Sequence, residues 1–198
     1  MNMNNLFSYL KENTHKAHRS LENSYPFNTY FKAGVFNSTH YKNGLLTLHA
    51  FHQYCLPYCV SLPLSLRGEL NPQTPIELIN ADLSALGKSS PLPIAFALPA
   101  KNINFANALA CTYVIMGSSM GGSIISKWLQ HHDADLPISY YSGMATLGMK
   151  WAQWQQQVNA YLSTNPVTYS EVSEMAEQLF LGLQLTGRRL NTSFEVSQ

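Results

Sequence analysis

The chain has 198 residues, 45% of them apolar and 12% aromatic, which is enough to bury a sizeable core as one domain over residues 1–198. Its formal net charge is +1 with no long Lys/Arg run, which excludes an electrostatic case for nucleic acid as a partner. Charged residues make up only 12%, about half the ordinary share, so much of the surface is neutral, as a large hydrophobic-ligand pocket or an oligomer interface would require.

The opening Met1-Asn-Met-Asn-Asn-Leu6 lacks the basic start and apolar run of a secretion signal, and no stretch has ~18 uninterrupted apolar residues. The expectation is a cytoplasmic protein without membrane insertion, a monomer or weak dimer. Cys55, Cys59 and Cys111 are odd in number, and the first two lie one helical turn apart, where a bridge is geometrically disfavoured. No second Cys/His pair follows at zinc-like spacing, so they read as reduced core thiols.

Residues 4 to 23 carry the first helical pattern: Leu6, Tyr9, Leu10, Asn13, Ala17 and Leu21 recur at helical spacing, with Asn4 or Asn5 placed to cap. His15 and His18 lie three apart on it, and Glu22 sits one turn beyond His18. A carboxylate at that spacing often holds a histidine's second nitrogen, but on spacing alone the plainer reading of His18 is an ordinary surface or core histidine. The aromatic-rich Tyr25-Pro-Phe-Asn-Thr-Tyr-Phe31 reads as a connection with one short helical turn. A second helix runs from His40 to about Val60, capped by Ser38 or Thr39, with Leu45, Leu48, Phe51, His52, Cys55 and Cys59 inward. Pro57 is expected to bend its last turns, and His49 and His52 read as structural.

Asn71-Pro-Gln-Thr-Pro75 is a loop, Ile76 to Leu86 a short helix closed by Gly87, and Lys88-Ser-Ser-Pro-Leu-Pro93 a second break. From Asn104 an amphipathic start leads into Tyr113-Val-Ile-Met-Gly-Ser-Ser-Met-Gly-Gly-Ser-Ile-Ile-Ser-Lys-Trp-Leu129. Apolar residues on both sides read as one helix, yet Gly117, Gly121 and Gly122 sit in its middle, each costing roughly 1 kcal/mol relative to alanine. With Ser118 and Ser119 they make a side-chain-poor face that kinks easily. Such a face suits either a tight helix crossing or a flat ligand lying against backbone, and both readings stand here. His131-His-Asp-Ala-Asp135 is a polar turn. Tyr140 to Leu162 continues as a long helix with Gly143, Gly148, Trp151 and Trp154, and Ser170 to Leu190 forms the last, before a frayed tail over residues 192–198. Without period-two alternation or repeats, the fold class is all-α, with seven or eight helices around one core.

Set in order, these segments resemble the heme oxygenase family, bacterial type. Leu10-Lys-Glu-Asn-Thr-His-Lys-Ala-His-Arg-Ser-Leu-Glu22 looks like its first-helix pattern. Leu78-Ile-Asn-Ala-Asp-Leu-Ser-Ala-Leu-Gly87 looks like the D-L-x-x-L-G run of bacterial members, including those associated with bacteriophytochromes. Tyr113 to Gly122 is similar to the distal-helix pattern Y-V-x-E-G-S-x-L-G-G. Tyr140 to Trp151 is similar to the helix that follows, and Ala176 to Phe180 to the A-x-x-x-F of the last. The matches span nearly the whole chain.

The resemblance implies an enzyme that uses oxygen and external electrons, from a ferredoxin or reductase, to cleave heme to biliverdin with release of iron and carbon monoxide. The chain itself has no flavin or nicotinamide motif, and a bilin-binding photoreceptor is an implied downstream partner. His18 would be the axial iron ligand, with Glu22 receiving its other N–H. Gly117, Gly121 and Gly122 would leave the oxygen side open, with Ser118 and Ser119 as hydrogen-bonding groups there. Tyr113 and Phe180 would contact the ring, and Lys11 and, more weakly, Lys150 would meet the propionates. Two departures bear on this. Met116 stands where the pattern has glutamate, and Met144-Ala-Thr-Leu147 lacks an arginine usual in that helix, a charge-assisted bond worth about 1.5–3 kcal/mol. Ser118 stands where some members have an aspartate that organises distal water, but bacterial members commonly have serine there. A non-catalytic heme-binding or heme-sensing protein on the same fold is the alternative.

Overall fold

The computed structural model describes residues 5–68, 70–87 and 94–195, with side chains to residue 191. Among these the chain is all-α, a multi-helix bundle without strands. The helices are α1 (Leu6–Glu22), α2 (Ser38–Ser61), α3 (Leu64–Arg67), α4 (Thr74–Ala85), α5 (Phe105–Ser119), α6 (Gly122–His132), α7 (Ser139–Gly148), α8 (Trp151–Leu162) and α9 (Tyr169–Glu195), with a 3₁₀ turn at Phe27–Thr29.

Local chemistry sets most of the ends. Asn5 caps α1 by accepting from the Ser8 N–H, and Asn104 caps α5 by accepting from Asn107. The α2 cap is Asn37, not Ser38 or Thr39: its Oδ1 accepts from both the Thr39 and His40 N–H groups, so the helix begins one residue earlier than a hydroxyl cap would allow. Gly87 follows α4 at φ +74°, a conformation that favours glycine. Asp82 does a longer-range version of the same work. Buried on α4, its carboxylate accepts from the Ser139 and Tyr140 N–H groups at 2.8 and 2.9 Å, capping α7, which has no cap of its own.

The core is built around α5. Its residues are small or apolar all round, and such a helix is stable only when surrounded. It packs on α2, α7 and α9, with Leu109, Val114, Ile115 and Met116 buried. Outside it, α1 packs on α9, α6 on α7, and α4 on α2 and α7. The thiols of Cys55, Cys59 and Cys111 are free and buried, and burial pushes the Cys59 thiol up to about 12. No single helix among the described residues is long and apolar enough to cross a membrane.

Several expectations change. The glycine-bearing segment is two helices, α5 and α6, bent by 44° across Met120 and Gly121. The segment from Tyr140 to Leu162 likewise divides at Met149 and Lys150, because Gly148 lies directly against the end of α5: a Cβ there would stand 2.8 Å from the Ser119 carbonyl oxygen. The last helix continues to Glu195, so the frayed tail does not begin at 192. Residues 196–198 of that expected tail and the break at residues 88–93 lie outside the described residues. Short α3, between α2 and α4, is tied to α8 by the Trp154 indole N–H donating to the Leu66 carbonyl at 2.7 Å. The count is therefore nine helices among the described residues, not seven or eight.

Candidate functional site

A cavity of about 550 Å³ forms an open cleft walled by α1, the 3₁₀ segment, α2, the α5–α6 bend, α7 and α9. That volume lies in the range of sites for drug-sized and cofactor-sized ligands. Its floor is apolar, with Leu48, Phe51, Val114, Met144 and Leu183.

From α1, His18 and Glu22 face the cleft. His18 Nδ1 lies 3.5 Å from the Glu22 carboxylate, and the His18 side chain is 51% exposed. The ring stands edge-on to Phe180 of α9, centroids 5.4 Å apart, a contact that fixes its plane. Gly117, Ser118, Gly121 and Gly122 enter the same cleft from the α5–α6 bend.

The glycines are not equivalent. A Cβ on Gly122 would meet the α7 backbone, 2.7 Å from Ala145 N and 3.0 Å from the Tyr141 carbonyl oxygen, so this position is required by a tight helix crossing. A Cβ on Gly121 would meet nothing nearer than 3.6 Å, and one on Gly117 nothing nearer than 3.8 Å. At these two positions a side chain would make only ordinary contacts, so packing does not require the glycine. Ser118 Oγ donates to the Ile115 carbonyl at 2.8 Å, which leaves its lone pairs free to accept. Ser119 is buried, donates to the Met116 carbonyl at 2.6 Å, and does not line the cleft, so the expectation that it shares the oxygen side does not hold.

Of the residues expected around a ligand, His18, Glu22, Gly117, Ser118, Gly121, Gly122 and Phe180 come together; Lys11, Tyr113 and Lys150 do not line the cleft. Lys11 is exposed on α1. Tyr113 packs between Phe7 and Trp151, turned off the cleft face by the helical period. Lys150 borders two smaller cavities of about 170 and 250 Å³. Met116 is buried at the second of these beside Trp154, not at the main cleft. The cation lining the cleft is Lys32, which sequence reasoning missed.

It missed the tyrosines as well. Tyr30, Tyr140 and Tyr141 all line the cleft. Tyr141 donates to the Tyr30 hydroxyl at 3.2 Å, and His52 Nε2 lies 3.0 Å from the Tyr140 hydroxyl. Burial raises all three phenols, keeping them neutral donors. The aromatic density of Tyr25 to Phe31 was the available signal, since a mere connection has no need of it. Phe31 itself sits at φ +62°, uncommon for a bulky residue, with its ring 5.2 Å from Trp128 and half exposed at the cleft. Asn28 Oδ1 is buried without a hydrogen-bond partner beside the same space.

Neither models of known protein families nor characterised proteins match this chain.

Proposed function

We propose that the chain is a heme oxygenase, binding heme in the main cleft and opening it to biliverdin with release of iron and carbon monoxide. The observation that carries this reading is the meeting, in one cleft of about 550 Å³, of a half-exposed imidazole and a wall stripped of side chains. The donor set fits the group: one histidine with a carboxylate at its other nitrogen, an apolar floor for the macrocycle, and the Lys32 ammonium for a propionate. Bound there, heme would supply both the carbon to be oxidised and the iron that activates oxygen, with electrons from an external ferredoxin or reductase.

The chain's own residues hold and shield. Glu22 keeps the His18 Nδ1 proton directed away from the ligand and so leaves Nε2 to face it. Phe180 sets the ring plane, and Phe51, Leu48 and Leu183 exclude water from the buried face. Gly117 and Gly121 leave space over the ligand, where Ser118 Oγ is an acceptor for a proton or an ordered water.

A non-catalytic heme-binding or heme-sensing protein is the second reading. The absence of an arginine in residues 144–147, of which Met144 lines the cleft, favours it. Hemin titration followed by reductant in air separates the two. Turnover predicts a Soret band that bleaches toward a bilin spectrum, and His18→Ala loses the wild-type Soret position. A stable band under the same conditions supports the sensor, and no Soret shift in wild type refutes both.

A further inference from the structure

His52 and Tyr140 form a buried pair that the proposed chemistry does not use. His52 lies on α2 and is 1% exposed; Tyr140 opens α7 and borders the cleft. Their separation of 3.0 Å, Nε2 to Oη, is a hydrogen bond in either direction. The other ring nitrogen of His52, Nδ1, is buried and has no partner.

That orphan nitrogen decides the direction. Burial, helped by His49, holds the His52 imidazole down at about 3, so at neutral pH the ring carries a single N–H. If Tyr140 donated to Nε2, the N–H would sit on Nδ1, a buried donor with nothing to meet. If Nε2–H donates to Tyr140 instead, Nδ1 presents only an unused lone pair, and the hydroxyl proton is left to a residue that borders the cleft, where an acceptor can meet it. Orphaned buried N–H groups are the rarer and more costly case. The second tautomer therefore prevails, and Tyr140 accepts from His52.

A hydroxyl that accepts keeps its own hydrogen to give away. We infer that Tyr140 is a hydrogen-bond donor aimed at an oxygen acceptor of the ligand in the cleft, with His52 as the positioning residue that frees its proton. Asp82 completes the arrangement: by accepting from the Ser139 and Tyr140 N–H groups it pins the first turn of α7, and with it the phenol, against α4. This assigns the D-L-x-x-L-G run a role in aiming the donor. The inference rests on the heme reading of the cleft, where the acceptor is a propionate oxygen or a diatomic molecule held at the iron.

The test is titration of wild type, Tyr140→Phe, His52→Leu and His52→Gln with hemin and with its dimethyl ester, together with the infrared C–O stretch of each ferrous carbon monoxide complex. Thermal melts check that each variant folds. A carboxylate acceptor predicts hemin binding about tenfold or more weaker in Tyr140→Phe, with the ester little changed. An acceptor at the iron predicts a C–O band moved to higher frequency with affinity preserved. Either outcome supports the donor. His52→Leu, which leaves the phenol its proton but removes its anchor, must show a smaller change of the same kind as Tyr140→Phe, and His52→Gln, whose amide restores a donor, must recover wild-type behaviour; failure of that pattern removes His52 from the assignment. Folded Tyr140→Phe that matches wild type in both affinities and in the C–O band overturns the inference while leaving the heme reading intact. A wild-type chain that gives no Soret shift, or one indifferent to His18→Ala, overturns the heme reading and takes the donor assignment with it.

Discussion

Adding one methyl group at Gly121 or at Gly122 should have opposite consequences, although the two are neighbours at the same bend. Neither needs glycine for its backbone: Gly121 lies at φ −76°, ψ −16°, and Gly122 opens α6 without a positive φ. In both, alanine reduces the freedom of the unfolded chain and gains about 0.4–1 kcal/mol if it fits. At Gly121 it fits, its Cβ meeting Ser118 O at 3.6 Å and Ile125 Cδ1 at 3.9 Å, ordinary contacts. At Gly122 three backbone atoms of α7 lie within 3.0 Å of the new carbon. Backbone cannot rotate away as a side chain does, so α7 must move, at an overpacking cost of about 1–3 kcal/mol. The two variants should therefore differ by roughly 1–3 kcal/mol, or roughly 2–12 °C in Tm at ~2–4 °C per kcal/mol for a chain of this size. Calorimetry of Gly121→Ala and Gly122→Ala checks this. Because the gain in the unfolded state is common to both, the difference isolates the crossing. Equal melting temperatures would show that the α6–α7 contact is loose and that the reading of Gly122 is wrong. Displacement of α7 also shifts Tyr140, Tyr141 and Met144, so Gly122→Ala should weaken ligand binding in the cleft more than its stability loss alone explains.

Two further expectations concern α4 and α2. Asp82→Asn keeps one acceptor oxygen but loses the charge, and should cost about 1.5–3 kcal/mol in urea denaturation, with Asp82→Ala worse because two buried N–H groups lose their partner. For His52, the folded-state value near 3 lies below the ordinary 6.5, so between those pH values the unfolded chain binds a proton that the folded one refuses. Its stabilising effect is complete above about pH 6.5 and falls as pH drops toward 3, by up to about 1.4 kcal/mol per pH unit. Denaturation of wild type and folded His52→Leu at pH 7 and pH 5 should show a difference in acid sensitivity of about 2 kcal/mol; parallel curves would mean that His52 is not held neutral.

Much of the architecture was legible from period and caps. The 3.6-residue pattern of Leu6, Leu10 and Leu21, the asparagine before it, and the glycine after α4 are local signals read by local physics, and they placed α1, α2 and α4 to within a few residues. The same period put His18 and Glu22 on one face. Breaks were harder. Apolar residues continue in phase through Met120 and through Met149, so periodicity runs on where the chain bends; the bends exist because Gly122 and Gly148 let α7 approach the α5–α6 backbone, a contact between segments distant in sequence.

By itself, then, the sequence determined the all-α class, the course of most helices and the pairing of His18 with Glu22, because each depends on residues within a turn or two of one another. Only the tertiary structure decided which wall each residue lines. It turned Lys11, Tyr113 and Lys150 off the cleft and brought in Lys32, Tyr30, Tyr140 and Tyr141. It also divided the glycines between roles: a Cβ on Gly122 would run into the α7 backbone, whereas one on Gly117 or Gly121 would make only ordinary contacts. Spacing along one helix cannot distinguish those cases, since the difference lies in what stands opposite.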